Sequence, residues 1–478
     1  MGGCRTFEAH APYTGRAIGG AEGTAEQPAE ADAGQGMKPA DIIICADYIL
    51  TMDPDLTIVR KGAIAVKDGN ILAIGAADHI SRTYAPRDTI DGTGKVAFPG
   101  LVNTHTHAAM VHFRGLADDL PLKVWLEEHI WPAEGRWLSP EFVSDAVELA
   151  CLEMLRSGIT VYNDMYFFGD AVARATKKVG MRAVVGVGIL DFPSKSANTT
   201  DEYFANAENF IRAWKGDELI VPNIAPHAPY TCSPENMLRA KKVAEHYDVP
   251  LHVHLSETQW EVGEIQKRYG RTPIALLESI GFLDQRVLAA HCVWPTDEEI
   301  GILAQRNVGV SHCIESNLKL ASGIAPVTKM LKAGVRVTFG TDGAASNNDL
   351  NVLSEMSTAA KVHKAVSGDP TSLSAKQAML MATRWGAEAI GLGGVTGSLA
   401  EGKSADIVLA GLNKPHLTPL YDMYSHIVYS MRASDIDTVL VNGRVVIQDR
   451  KLMTADEGEI IARSSEWGRK IKGADTRS

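Results

Sequence analysis

Hydrophobic and polar positions divide the chain into a middle and two ends of different texture. From Ile42 to Val96, and again from Gly397 to Asp449, short apolar runs alternate with tight polar turns ("IIICADYILTMD", "GAIAVKDGNILAIG", "GSLAEGKSADIVLAGL", "DTVLVNGRVVIQD"). Period-two alternation bounded by turn residues predicts strands. Asp68-Gly69 and Asn442-Gly443 predict hairpins, because both residues of a type I′ turn need positive φ. Between these ends, apolar runs of strand length alternate with amphipathic stretches. The strand candidates are "GLVNTHTH", "GITVYNDMY", "RAVVGVGIL", "LIVPNIAPHAPY", "PLHVHLSE", "VLAAHCV", "VGVSHCI" and "VRVTFGTD". Helices such as "SPEFVSDAVELACLEMLRSG" and "SPENMLRAKKVAEHYD" begin with Ser-Pro, an N-cap followed by an N1 proline.

Eight strand–helix units over some 300 residues predict an α/β fold, a TIM (β/α)8 barrel. A doubly wound open sheet is the runner-up. The expected organisation is a tail over 1–36, a small β-sandwich domain built from both chain ends (37–97 and 396–455), the barrel over 98–395 and a C-terminal helix or tail over 456–478. Residues 1–36 are rich in Gly, Ala and Glu, without apolar periodicity, and read as a disordered tail, with Met37 a plausible start.

The formal net charge of −11 over 478 residues argues against a nucleic-acid partner, which would want a basic face. No apolar run reaches the 18 or more residues of a membrane span. The six cysteines include no C-x-x-C pair and read as reduced thiols, giving a cytoplasmic expectation. Cys292 and Cys313 read as small packing residues.

In a TIM barrel, chemistry sits at the C-terminal ends of the strands. The polar residues collect there. "AFPGLVNTHTH" ends in His105 and His107, two apart and so on one side of a strand. An isolated HxH could equally be a pair of core histidines. Here, however, His227, His252 and His254, Glu257, His291 and Asp342 fall at four further strand ends. His105, His107, His254 and Asp342 make a three-nitrogen, one-oxygen shell with room for a water. His252 lies deeper and stays outside that shell.

The chain resembles the amidohydrolase superfamily from "GKVAFPGLVNTHTH" to "GSLAEGKSADIVL". The stretches "RGLADDLPLKVWLEEHIWPAE", "APHAPYTCS", "HLSET", "AAHCV", "SNLKLASGIAPV" and "GTDGAASNNDLN" look like the 5-methylthioadenosine/S-adenosylhomocysteine deaminases. The resemblance implies one divalent ion per chain on His105, His107, His254 and Asp342, zinc first, with iron and manganese also suited. It implies substrate contacts at Glu134, His227 and Glu257. Two-metal relatives carry a modified lysine at the end of strand 4, which "LIVPNIAPHAPY" lacks.

The implied reaction adds water to C6 of adenine and expels ammonia. Asp342 would move the water's proton, Glu257 would protonate a ring nitrogen, and His291 would steady the attacking oxygen. Glu257 could instead cap the next helix, and His291 could be a further ligand. Trp125 and Trp131 could stack on the base or simply pack. The partner implied is a nucleoside-sized molecule; homo-oligomerisation stays open.

Family members that grip a homocysteine carboxylate use arginines after strand 3. Here Val187 takes the first place, and Lys195 is the only cation in the following loop. This favours methylthioadenosine over S-adenosylhomocysteine. Were a carboxylate gripped after all, Arg114, Arg136 and Arg182 would be the first residues to consider. A milder departure is Ile314, where proline is common. The competing functions are a chlorotriazine-type or other aminohydrolase of the same branch, or a non-catalytic metal-binding scaffold.

Overall fold

The structure, a computed structural model, describes residues 36–475. The expected tail therefore lies outside the described residues, apart from Gly36. The N-terminal part contributes β1 (Lys38–Leu50), β2 (Ile58–Lys67), β3 (Asn70–Ala76), β4 (Tyr84–Ile90) and β5 (Lys95–Pro99). The barrel strands are β6 (Leu101–Thr106), β7 (Ile159–Tyr166), β8 (Arg182–Ile189), β9 (Ile220–Pro226), β10 (Leu251–Leu255), β11 (Val287–His291), β12 (Gly309–His312) and β13 (Arg336–Phe339). The C-terminal part adds β14 (Ile407–Gly411), β15 (Ile436–Val441), β16 (Arg444–Gln448) and β17 (Lys451–Leu452).

All eight sequence-predicted central strands form, each parallel to its neighbour in the order β6 through β13. Six of the eight are buried along their whole length, and in β9 only Val221 is partly exposed, so they read as near-continuous apolar runs. The arginine opening β13 is the exposed residue of the eighth. The last strand returns to the first: Thr104 Oγ1 donates to Phe339 O at 2.8 Å, and Asp342 N donates to His105 O at 3.0 Å. A doubly wound sheet would reverse its strand order and stay open; this one does neither. Gly340 lets the seam close, since a Cβ there would lie 2.7 Å from His105 Cβ. The Ser-Pro helix starts behave as their spacing predicts, Ser139 capping Phe142 N at 3.1 Å and Ser233 capping Asn236 N at 3.4 Å.

The two chain ends form one nine-stranded mixed sheet, in which β5 pairs with both β1 and β14. Its two predicted hairpins meet. Asp68, Gly69, Asn442 and Gly443 all have positive φ, and a Cβ on Gly443 would sit 2.8 Å from Gly69 Cα. Sheet and barrel are joined by a buried ion pair. Arg182 Nε, opening β8, donates to Asp406 Oδ2 at 3.1 Å, and Arg182 Nη2 donates to Ser404 Oγ at 2.8 Å. Asp406 also accepts from Asn442 N at 2.7 Å. Removing one partner of a buried pair leaves an uncompensated charge, at a cost of about 3–5 kcal/mol. Arg182→Ala is therefore expected to lower unfolding stability by about that amount in a urea titration, with the histidines at the opposite ends of the barrel strands unaffected. A loss under 1 kcal/mol would show that the pair does not hold the two parts together.

No helix among the described residues is long and apolar enough to cross a membrane. Cys292 and Cys313 are fully buried free thiols, as their packing role predicts.

Candidate active site

The ends of β6, β10 and β13 bring His105, His107, His254 and Asp342 into one cluster. Asp342 Oδ1 lies 3.4 Å from His105 Nε2 and 3.3 Å from His107 Nε2, and His254 Nε2 lies 3.2 Å from His107 Nε2. Ligands at about 2.0–2.1 Å around a tetrahedral ion are roughly 3.3–3.4 Å apart, so these three pairs already sit at ligand spacing. His291 Nε2 faces the same centre, grouped with His105 and Asp342.

Hydrogen bonds behind the cluster fix which nitrogens point inward. His107 Nδ1 donates to Met165 O at 2.6 Å, and His254 Nδ1 donates to His227 O at 2.8 Å. A carbonyl can only accept, so each ring keeps its Nε2 lone pair for an ion. His105 Nδ1 meets His252 Nε2 at 2.9 Å, which places His252 behind the shell rather than in it. His105 Nε2 is buried with no hydrogen-bond partner. Such an orphan is costly unless something binds it, and a divalent ion answers that need. Burial pushes the His254 and His252 imidazoles well below their usual range, and the neutral form is the one that ligates. Burial also works against ionised Asp342, but the close approach of the His105 and His107 imidazoles outweighs it and holds this carboxyl well below the usual range. The cluster is fitted for one divalent cation.

Beyond the cluster lies a cavity. Its charged and imidazole-bearing lining is His107, Glu134, Lys195, His227, His254, Glu257, His291 and Asp342; much of the rest is apolar, with Trp125, Trp131, Phe167 and Phe192 prominent. Glu257 lies just past β10. Its Oε2 is 3.8 Å from His291 Nε2, and its Oε1 accepts from Ser322 Oγ at 3.4 Å. Burial raises its carboxyl, with His291 acting against the rise. The next helix is capped by Thr258, which accepts from Glu261 N at 3.1 Å, so Glu257 is free of that duty. Glu134 comes from the helix Trp131–Trp137 and is buried. It accepts a 2.6 Å hydrogen bond from the Tyr166 hydroxyl. Burial pushes the Glu134 carboxyl up to about 7, against Tyr166 and His107. His227 Nδ1 is tied to Thr231 Oγ1 at 2.9 Å, so Nε2 is the edge offered to a ligand.

Several site residues escaped the sequence reading. Tyr166 supports Glu134, and Ser316 and Ser346 hold Asp342 Oδ2 at 2.6 and 2.8 Å. Asn317 Oδ1 holds His291 Nδ1 at 2.9 Å, leaving Nε2 toward the centre. Except for Tyr166, these lie in "SNLKLAS" and "GTDGAASNND", where hydroxyls and amides crowd two strand ends; that crowding was the available signal. Arg114, Arg136 and Arg182 are not in the cavity wall. Arg114 pairs with Glu153, Arg136 stacks over Trp137 at 5.4 Å, and Arg182 is bound to Asp406.

A (β/α)8 barrel with one metal-binding cluster at its strand ends defines a class, the metal-dependent barrel hydrolases. The chain belongs to the amidohydrolase family, whose description "Amidohydrolase family" matches residues 96–446. It is 54% identical to a 5-methylthioadenosine/S-adenosylhomocysteine deaminase of Thermodesulfovibrio yellowstonii, over 90% of this chain and 99% of that one. It is 47% identical to a 5′-deoxyadenosine deaminase of Methanosarcina acetivorans, over 88% of this chain and 96% of that one. Among solved structures it is similar to an adenosine deaminase from Xanthomonas campestris with bound zinc. There the TM-score is 0.90 at 40% identity, covering 92% of this chain and all of the other.

Proposed function

We propose that this chain deaminates the adenine ring of 5′-modified adenosines, giving the inosine analogue and ammonia. One juxtaposition carries the reading. A single cavity holds a metal-binding cluster, a buried acid (Glu257) and a second buried carboxyl (Glu134) presented to a ligand. The names of the relatives at 54% and 47% identity support the nucleoside.

His105, His107, His254 and Asp342 would hold the ion, and zinc is favoured by the donor set and by the zinc-bound neighbour. When bound, it supplies Lewis acidity that brings the pKa of an adjacent water down toward about 7. Asp342 takes that water's proton, its Oδ2 anchored by Ser316 and Ser346 so that Oδ1 faces the centre. Glu257 gives its proton to a ring nitrogen, which makes C6 electrophilic as the C6–O bond forms. His291 Nε2 steadies the entering oxygen. Asp342 then hands its proton to the amino group, the C6–N bond breaks and ammonia leaves, while the proton on the new C6 hydroxyl passes to Glu257, so that C6=O forms and both carboxyl groups return to their starting states. Glu134 accepts hydrogen bonds from the ribose diol, and His227 contacts the nucleoside through Nε2.

The test is ammonia release from a panel of 5′-substituted adenosines, with chlorotriazines alongside. Chloride release without purine deamination would overturn the reading in favour of a triazine hydrolase.

Within the panel, methylthioadenosine is expected to be used more efficiently than S-adenosylhomocysteine. The wall after β8 offers Leu190, Phe192 and Pro193, and its cation is the exposed Lys195; Val187 lies within β8, outside that wall. A charge-assisted hydrogen bond is worth roughly 1.5–3 kcal/mol. Its absence should cost S-adenosylhomocysteine about tenfold or more in kcat/KM. Equal efficiency would mean that Lys195 or another cation grips the carboxylate.

A further inference from the structure

Glu261 is 1% exposed and lies outside the catalytic cavity, yet both its carboxylate oxygens are committed to the turn that carries Glu257. Oε1 accepts from Ser256 N at 2.9 Å, and Oε2 accepts from Glu257 N at 2.8 Å. Glu261 is the third residue of the helix Gln259–Tyr269, whose N-cap is Thr258. A glutamate at this place ordinarily returns to the N-cap's own N–H. Glu299 does so in this same molecule, accepting from Thr296 N at 2.8 Å. Glu261 reaches one and two residues further back, past the cap and onto the catalytic turn.

That turn needs holding. Ser256 has φ 53°, in the left-handed region that non-glycine residues enter at a cost. Its carbonyl in turn accepts from Val293 N and Trp294 N at 2.9 and 3.0 Å, in the segment that follows His291. Glu257's own side chain meets only a long contact to Ser322 and the 3.8 Å approach of His291. Its placement therefore comes mainly from its backbone.

We infer that Glu261 is a positioning residue for the deamination reaction, clamping the Ser256 and Glu257 amides so that the Glu257 carboxyl faces the substrate ring. The inference rests on the role proposed for Glu257. An amide side chain can accept through only one of its two heads, so Glu261→Gln breaks half of the clamp while keeping its volume. Placement errors near 1 Å can cost about a hundredfold in rate. The expected result is a ten- to hundredfold fall in kcat with KM within threefold and metal content unchanged.

Thr258→Ala is the control. It removes the cap of the same helix and leaves the clamp, so it should lower the unfolding midpoint and spare kcat. The deciding measurement is the pair of variants at 257 and 261. If Glu261 works through Glu257, adding Glu261→Gln to Glu257→Gln costs less than twofold more in kcat. If the losses multiply, or if folded Glu261→Gln keeps kcat within threefold of the parent, the positioning role is overturned. Should Glu261→Gln fail to fold, Glu261→Asp, which keeps the charge but shortens the reach, takes its place in the same cycle under the same criteria. Parental turnover in Glu257→Gln alone would remove Glu257 from the acid role, and the positioning role with it.

Discussion

Replacing His254 with alanine is expected to remove the metal and the activity together. His254 Nε2 is 3.2 Å from His107 Nε2, and its other nitrogen is pinned to His227 O, which holds the ring in place as a donor. His252, two residues earlier on β10, points its Nε2 at His105 instead. With three donors left, the site loses affinity and the water loses its activation, which is worth many orders of magnitude in hydrolytic chemistry. Elemental analysis should fall from about one ion per chain toward zero, with turnover falling in parallel. A ligand that binds only the folded state also stabilises it, so the variant should melt lower than the loaded parent and close to the chelator-treated parent. Full metal content with normal turnover would remove His254 from the ligand set.

The barrel was readable because parallel strands buried on both faces leave uninterrupted apolar runs, and because the interruptions all fall at one end. His105 and His107 announce themselves by spacing, and Asp342 by the Gly-Thr-Asp-Gly turn around it. Other parts left no such trace. Tyr166 is one more aromatic in a buried strand until the helix bearing Glu134 comes to rest against it. The Arg182–Asp406 pair spans 224 residues, and a long-range charge pair imposes no local pattern on either segment. Asn317, Ser316, Ser322 and Ser346, which hold His291, Asp342 and Glu257, were visible only as a polar cluster, because side-chain hydrogen bonds depend on rotamers rather than on spacing. Glu261 reads as an ordinary helix-capping glutamate; only its hydrogen-bond partners distinguish it from Glu299. Periodicity therefore revealed which residues face the centre, and left open which residues hold them there.

Glu257→Gln is expected to fold, to keep its metal and to lose about 10²–10⁴ in kcat, the usual contribution of a positioned general acid. Glutamine preserves the volume and can still meet Ser322, but it has no proton to give. The pH profile sharpens the expectation. Burial raises the Glu257 carboxyl above the ordinary glutamate range. The raised value keeps the proton in place to higher pH than an exposed glutamate would. The protonated form is the active one for ring protonation, so kcat should fall as pH rises through the raised value and hold on its acid side as far as this group is concerned. Asp342 acts with the opposite sign. Its carboxyl is held well below the usual range and must be ionised to take a proton, so its limb lies at low pH. In Glu257→Gln the alkaline limb owed to Glu257 should vanish while the acid limb stays. Turnover within threefold of the parent, or an alkaline limb unmoved by the substitution, would mean that the ring nitrogen receives its proton from another group in the cavity.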